Sequence, residues 1–259
     1  MGTRSASRDE QMKILNFRLR GKMAHFRRYY SNTSALTYSV PPRTTLIGLI
    51  AGLLGYERDS YYEIFSTSSC HVAVGIRRPL KKQMHKLNLL KVENHNDLDG
   101  SKSHTQIPTE ILVPIDLPNG YLDYEVWFHH NNPDLMNKLD TLLQVELGYL
   151  SKGISLALGT AQHLGWIEQV MTVEGHILST TETEIYSIIP MSKINDLQLA
   201  EHDYPLQLHK EDIPIHFNAD RVLESKGDFI ININGFPIKV NVNNAVQLSD
   251  GRVITWMEE

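Results

Sequence analysis

The stretch Thr37 to Gly55, TYSVPPRTTLIGLIAGLLG, constrains the fold more than any other part of the chain. Pro41 and Pro42 preset φ and suit the first turn of a helix, where a missing N–H costs nothing. The apolar and glycine run from Leu46 to Leu54 then continues without a charge. It is far short of the ~20 residues that cross a bilayer, so it predicts a buried helix of a globular domain. Gly48 and Gly52 are one helical turn apart and notch the same face. Each costs ~1 kcal/mol relative to alanine, which close packing of a neighbour would justify.

The start of this helix has two readings. The first-turn N–H groups of Thr44 and Thr45 lack intrahelical partners and carry partial positive charge, and Arg43 lies beside them, so the site suits a phosphate. The alternative is the ordinary capped start of a core helix. The preceding loop, GKMAHFRRYYSNTSALTYSV, favours the phosphate. Lys22, Arg27 and Arg28 can neutralise phosphates, while His25, Phe26, Tyr29, Tyr30 and Tyr38 can stack on bases. Core packing is expected to claim Phe26 and at least one tyrosine.

Charge supports the same direction. Residues up to Lys91 hold 16 Lys and Arg against 5 Asp and Glu, and the remainder holds 9 against 25, within a net charge of -5. A basic third on an acidic body suits a protein that meets a polyanion on one face. Mutual attraction of the two ends is the other explanation. The single cysteine, Cys70, excludes an internal disulfide, and no Cys/His cluster has zinc spacing. No basic-then-apolar leader opens the chain, which predicts a reducing cytoplasm and no membrane partner. Residues Met1 to Gln11 are polar and are expected to be a disordered leader.

Along the chain, KILNFRLR (Lys13 to Arg20) alternates as a half-buried strand, with Asn16, Arg18 and Arg20 on its polar face. After the helix, CHVAVGIRR (Cys70 to Arg78) is a second strand. Pro79 to Pro108 carries little periodicity and predicts an insertion. TEILVPIDL and GYLDYEVWFHH predict two strands joined at PNG. Asn132 and Pro133 open a helix whose Leu135, Leu139, Leu142, Leu143 and Leu147 keep helical spacing. SLALGTAQHLGWIEQVMTV and the strand TEIYSIIP follow. The order is the split βαββαβ pattern, an α+β, ferredoxin-like or RNA-recognition-type sheet with both helices on one face and the other open to RNA. The expected division is a leader over 1–11, a main domain over 12–190 with an insertion over 79–110, and a β-rich segment over 191–259. Hairpins are predicted in that last segment at Asn234-Gly235 and Asp250-Gly251.

The stretch from Gly21 to Gly55 resembles the N-terminal signature of the fifth family of CRISPR-associated proteins, within the repeat-associated mysterious protein superfamily. LALGTAQHLGWIEQV resembles that family's second signature, L-G-x-x-x-x-x-x-W-I. The resemblance spans roughly Lys13 to Pro190. It implies a subunit of a type I CRISPR surveillance complex (Cascade) that grips the 5′ handle of the guide RNA (crRNA). Target DNA is reached through the complex, and the implied neighbours are the first backbone subunit and the large PAM-sensing subunit. A hairpin thumb is implied over the insertion, with Arg77, Arg78, Lys81 and Lys82 lining its base. The expected RNA contacts are Arg20, Lys22, His25, Arg27, Arg28, Ser34, Tyr38, Arg43 and Thr44, with His163 beside the Gly159 loop.

One branch of the family cuts precursor guide RNA without metal, using tyrosine, lysine and histidine. His25 near Tyr29, and His85 next to Lys86, are the candidate groups here. Neither spacing identifies a catalytic site, and most type I systems use a separate nuclease. The expectation is a non-catalytic binding subunit without cofactor or metal, with a metal-free endoribonuclease as the alternative. A stand-alone RNA-recognition domain is disfavoured, because its aromatic strand signature is absent. The β-rich tail is expected to contact another subunit.

Overall fold

A computed structural model describes residues 11–31, 34–102, 104–146, 148–199 and 202–258. The expected leader, but for its last residue, lies outside them. The first strand, β1 (Met12–Gly21), sits where the alternation predicts it. After it come α1 (Arg43–Leu54), β2 (Cys70–Ile76), β3 (Leu80–Leu90), β4 (His104–Pro114), β5 (Leu122–His130), α2 (Pro133–Leu143) and β6 (Gly165–Ile185). Neighbouring strands in the order β2-β5-β1-β6 run antiparallel. Leu15, Phe17 and Leu19 of β1 join Val126 and Phe128 of β5 in one core with Leu46, Ile50 and Leu53 of α1 and Leu135, Leu139 and Leu143 of α2. Both helices therefore cover the same face of the sheet.

Each helix follows from its sequence. In α2, Asn132 Oδ1 accepts from the N–H groups of Asp134 and Leu135 at 2.9 and 3.3 Å, with Pro133 in the first turn. Leu147 lies outside the described residues. In α1 the residues on every side are buried, so the helix carries no polar stripe. Its notch is filled: a Cβ on Gly48 would stand 3.0 Å from the Tyr61 hydroxyl, and one on Gly52 would collide with Ile154.

The stretch expected to lack periodicity is an extended hairpin. β3 and β4 pair continuously from Leu80↔Pro114 to Leu90↔His104, and the second strand starts before the expected Thr109. The alternation is missing because most of the hairpin is solvated on both faces, with Met84, Leu89 and Leu90 exposed. No burial selects one face, so no period is written into the residues.

Beyond β6 the chain adds β7 (Ile189–Pro190), β8 (Ile194–Leu197), β9 (Leu208–Phe217), β10 (Leu223–Asn232), β11 (Ile238–Leu248) and β12 (Val253–Thr255). β6 is long enough to serve two partners. Its first half pairs with β1 and its second half with β11, giving a seven-stranded sheet in the order β2-β5-β1-β6-β12-β11-β8. The sheet thus runs unbroken across the boundary expected at residue 190. Asp250-Gly251 closes the β11–β12 hairpin as predicted. Asn234-Gly235 turns the chain, with Gly235 at φ 81°, but β10 and β11 on either side enter different sheets. β10 pairs instead with β9 and β7. The turn residues fix local geometry only; burial of the flanking strands decides their partners.

The last residues return to the first sheet. Ile188 N donates to Val74 O at 2.8 Å and Met257 N to Val72 O at 2.9 Å, both on β2. Val246, Ile254 and Trp256 pack on Ala73 and Trp127 of the helix-free face. That face is therefore not the fully open RNA surface the sequence predicts: its Trp127 end is covered by the chain's own C-terminal hairpin. Among the described residues no helix is long and apolar enough to cross a membrane.

Candidate nucleic-acid interface

The loop between β1 and α1 is pinned from two sides. Ala24 exchanges hydrogen bonds with Leu112 of β4 at 3.1 and 2.8 Å, and Ala35 N donates to Pro108 O at 2.9 Å. His25 Nδ1 donates to the Glu110 carbonyl at 2.7 Å, and Thr37 N donates to the Glu110 carboxylate at 2.9 Å. On the other side the Gly159 turn approaches so closely that a Cβ would collide with the His25 carbonyl. Gly159 also has φ 93°, a backbone region that glycine tolerates best. His25 N donates to Leu158 O at 3.0 Å. The two sequence blocks that carry the resemblance therefore interlock. His163 closes the Gly159 turn through Leu158 N and Thr160 Oγ1, at 2.7 and 2.8 Å. Burial, with His25 nearby, lowers its pKa. It shapes the turn and is half-buried.

Pinning leaves Lys22, Arg27, Tyr29 and Tyr30 exposed on the loop. Arg27 bonds only within the loop, to Ser31 O at 3.2 Å. Lys22 reaches Gly120 O at 2.9 Å. Tyr29 and Tyr30 form an edge-to-face pair with centroids 5.1 Å apart. Beside them Arg28 and Lys82 converge on one buried carboxylate, Glu211 of β9, at 3.1 and 2.6 Å. Ser39 donates to the same group from N and Oγ, both at 2.8 Å. Burial pushes the Glu211 carboxyl up, but Lys82 and Ser39 outweigh it and hold it below the usual carboxylate range. Arg28 and Lys82 thus meet at a half-buried rim, where Glu110 also acts on Arg28.

Five expected contacts need correction. Arg43 is 1% exposed. Its guanidinium pairs with Glu258 and donates to the carbonyls of Phe65, Cys70 and Ile215 at 3.0, 2.9 and 3.3 Å. It is an internal tie enclosed away from any phosphate, and the α1 start is a core helix start. Tyr38 is buried under Arg28, whose guanidinium carbon lies 5.6 Å from its ring centroid, so no base can stack on it. His25 is buried with its Nδ1 committed. Arg20 is largely buried, held by Glu168 and by Asp123 at 3.2 Å. Thr44 is half-buried beside Tyr61, Tyr62, His216 and Phe217, away from the loop group. Ser34 and Lys81 are half-exposed.

The remaining expected residues gather on the helix-free face. Arg18 makes two parallel bonds to Asp123 at 2.8 and 2.7 Å. Arg77 and Arg252 hold Glu125 at 2.5 and 2.6 Å and flank Trp127, with guanidinium carbons 5.3 and 5.6 Å from its centroid. Arg78 is exposed and lies 4.1 Å from the Tyr121 centroid. The structure thus brings Arg28, Lys82 and the loop cations together, places Arg20, Arg77 and Arg78 in a second group, and removes Arg43 and Thr44 from both. Sequence reasoning missed Glu211 and Tyr121. No local motif marks Glu211, whereas Tyr121 stands beside the predicted PNG turn.

Residues 14–112 match the family described as CRISPR-associated protein (Cas_Cas5). No curated protein matches the chain. Among solved structures, a CRISPR protein from Archaeoglobus fulgidus aligns with a TM-score of 0.53 at 13% identity, over 94% of this chain and 98% of that one. A structure described as a CRISPR RNA-guided surveillance complex aligns at 0.45 and 13% identity, over 87% of this chain and 91% of that one. The matched stretch, similar to the CRISPR-associated Cas5 family, runs from β1 through the pinned loop and α1 to β4.

Proposed function

We propose that the chain is a non-catalytic subunit of a type I CRISPR Cascade complex that holds the 5′ handle of the crRNA. In this reading the strands β2-β5-β1-β6 with their two helices are a ferredoxin-like palm, and the β3–β4 hairpin is its thumb. The backbone subunit and the large PAM-sensing subunit are its neighbours, and target DNA is met through the assembly. One observation carries the reading. Lys22, Arg27, Tyr29 and Tyr30 stand exposed on a loop fixed to β4 and to the Gly159 turn, with half-exposed Arg28 and Lys82 at its flank. Fixed cations beside exposed aromatics suit a single strand, taking phosphates on the former and bases on the latter.

The non-catalytic part rests on the candidate groups themselves. His25 is buried and already donating. His85 and Lys86 are successive residues of β3 and so project to opposite sides of the hairpin. Neither group assembles a base and a cation around one phosphate.

Titration of the purified chain with repeat-derived RNA at several salt concentrations tests the binding. Each of Arg27→Ala and Arg28→Ala should weaken it and lower the log–log salt slope by about 1. Unchanged slopes in both would overturn the reading. Incubation with the same RNA in EDTA should give no site-specific cleavage; cleavage abolished by His85→Ala would make the chain a ribonuclease.

A further inference from the structure

The helix-free face ends, among the described residues, in a charged group around Tyr121 and Trp166. Strand register lines up its residues in rows. Asp123 of β5, Arg20 of β1 and Trp166 of β6 form one row, with Glu125, Arg18 and Glu168 in the next. Trp127, in the row beyond, lies under the C-terminal hairpin. Moving away from Trp127, the face changes from apolar to charged, with Trp166 half-buried and Glu168 exposed at its edge.

At this end three planar groups surround the Tyr121 ring. Arg78 and Arg20 both approach Tyr121, with guanidinium carbons 4.1 and 4.9 Å from its ring centroid. Trp166 lies 6.0 Å from Tyr121, centroid to centroid. Trp127 and Trp256 are buried, whereas Trp166 is half-exposed, and its Nε1 donates to Glu168 at 2.7 Å. The carboxylates here are all engaged. Arg18 and Arg20 take Asp123, Arg77 and Arg252 take Glu125, and Arg20 takes Glu168. Two exposed cations are held only loosely. Arg78 stands 3.8 Å from Asp123, and Lys22 bonds a single carbonyl.

We infer that Trp166, backed by Tyr121, is a stacking platform for one unpaired base of a single-stranded RNA, and that Arg78 and Lys22 bind the phosphates beside it. The inference rests on the RNA-binding reading above but concerns a second contact, centred on the sheet and joined to the pinned loop through Lys22. A guanidinium–aromatic stack offers a flat, polarisable surface that every base can use, and a duplex keeps its bases to itself. Loosely held cations at its edge supply the charge that a phosphate needs.

The three tryptophans make the test direct, because only Trp166 among them is open to a ligand. Single-stranded RNA is titrated into the full chain while anisotropy of labelled RNA and tryptophan emission are read together. Binding should quench emission, and a blunt duplex of the same sequence should not. Trp166→Ala should abolish the quench and weaken binding by about 5- to 150-fold, the range for one lost stacked base. Trp166→Phe should abolish the quench yet restore most of the affinity, since a flat ring is kept while the bond to Glu168 is lost. Arg78→Ala should lower the salt slope by about 1. Binding without quenching, or Trp166→Phe as weak as Trp166→Ala, overturns this inference and leaves the loop reading standing. No RNA binding by the wild-type chain overturns both.

Discussion

Arg28 lies within the β1–α1 loop and Arg43 at its end, and each meets a carboxylate from the C-terminal part of the chain. Arg28 meets Glu211 and Arg43 meets Glu258. The chemistry is the same, but the depth is not. The Arg28 side chain is 22% exposed and shares its carboxylate with Lys82. Arg43 is enclosed, and carbonyls of Phe65, Ser66, Cys70 and Ile215 take the donors that Glu258 leaves. A guanidinium enclosed in this way, with its contacts made inside the chain, has nothing to offer a ligand. Much of the charge division along the sequence is therefore a fastening between a basic front and an acidic back. Binding falls to the cations left over at the rim.

The largest expected effect breaks the buried side. Arg43→Ala or Glu258→Ala strands a charge in the core and should cost about 3–5 kcal/mol of stability, read as a lower denaturant midpoint. The double variant Arg43→Met with Glu258→Leu removes both charges and should recover much of that loss. Full additivity of the two single losses would contradict the pairing.

Next is the loop's support. Gly159→Ala meets both the φ 93° backbone and the His25 carbonyl. It should cost ~1–3 kcal/mol and loosen the loop without touching Arg43. Amide exchange at residues 24–28 should rise while exchange in α1 stays slow; equal protection in both would refute it.

Acid separates the two sides more gently. At Glu258 burial raises the carboxyl, but His71, 3.9 Å away, and Arg43 more than compensate, so it stays below the usual range, as Glu211 does. Their contribution is complete above the unfolded carboxyl value of ~4.3 and drains away as pH falls through the lower folded values. The denaturant midpoint should fall over that interval, and Glu258→Gln should flatten the fall. A midpoint that rises toward acid would contradict both pairs.

Local rules mark much of this fold in the sequence. β1 followed from alternation, α2 from Asn132 and Pro133, and the notch in α1 from Gly48 and Gly52. What the sequence left unreadable depends on distant partners. Nothing near Arg43 announces Glu258, so a buried tie and an exposed phosphate ligand look alike in one dimension. The β3–β4 hairpin is solvated on both faces and writes no period. Asn234-Gly235 signals a turn, but only the burial of β10 and β11 sends them to separate sheets. Within the candidate site, Lys22, Arg27 and Arg28 were legible as cations of a polar loop, whereas the platform of Tyr121 and Trp166 exists only through the register of β1, β5 and β6.

The smallest change in the fold gives the sharpest reading of function: the salt dependence of RNA binding in two variants that differ only in depth. Arg27→Ala/Arg28→Ala should lower the log–log slope by about 2, while Arg43→Met/Glu258→Leu, once shown to be folded, should keep the wild-type slope. A slope that falls in the core variant and holds in the loop variant would return the phosphate site to the start of α1 and contradict the account.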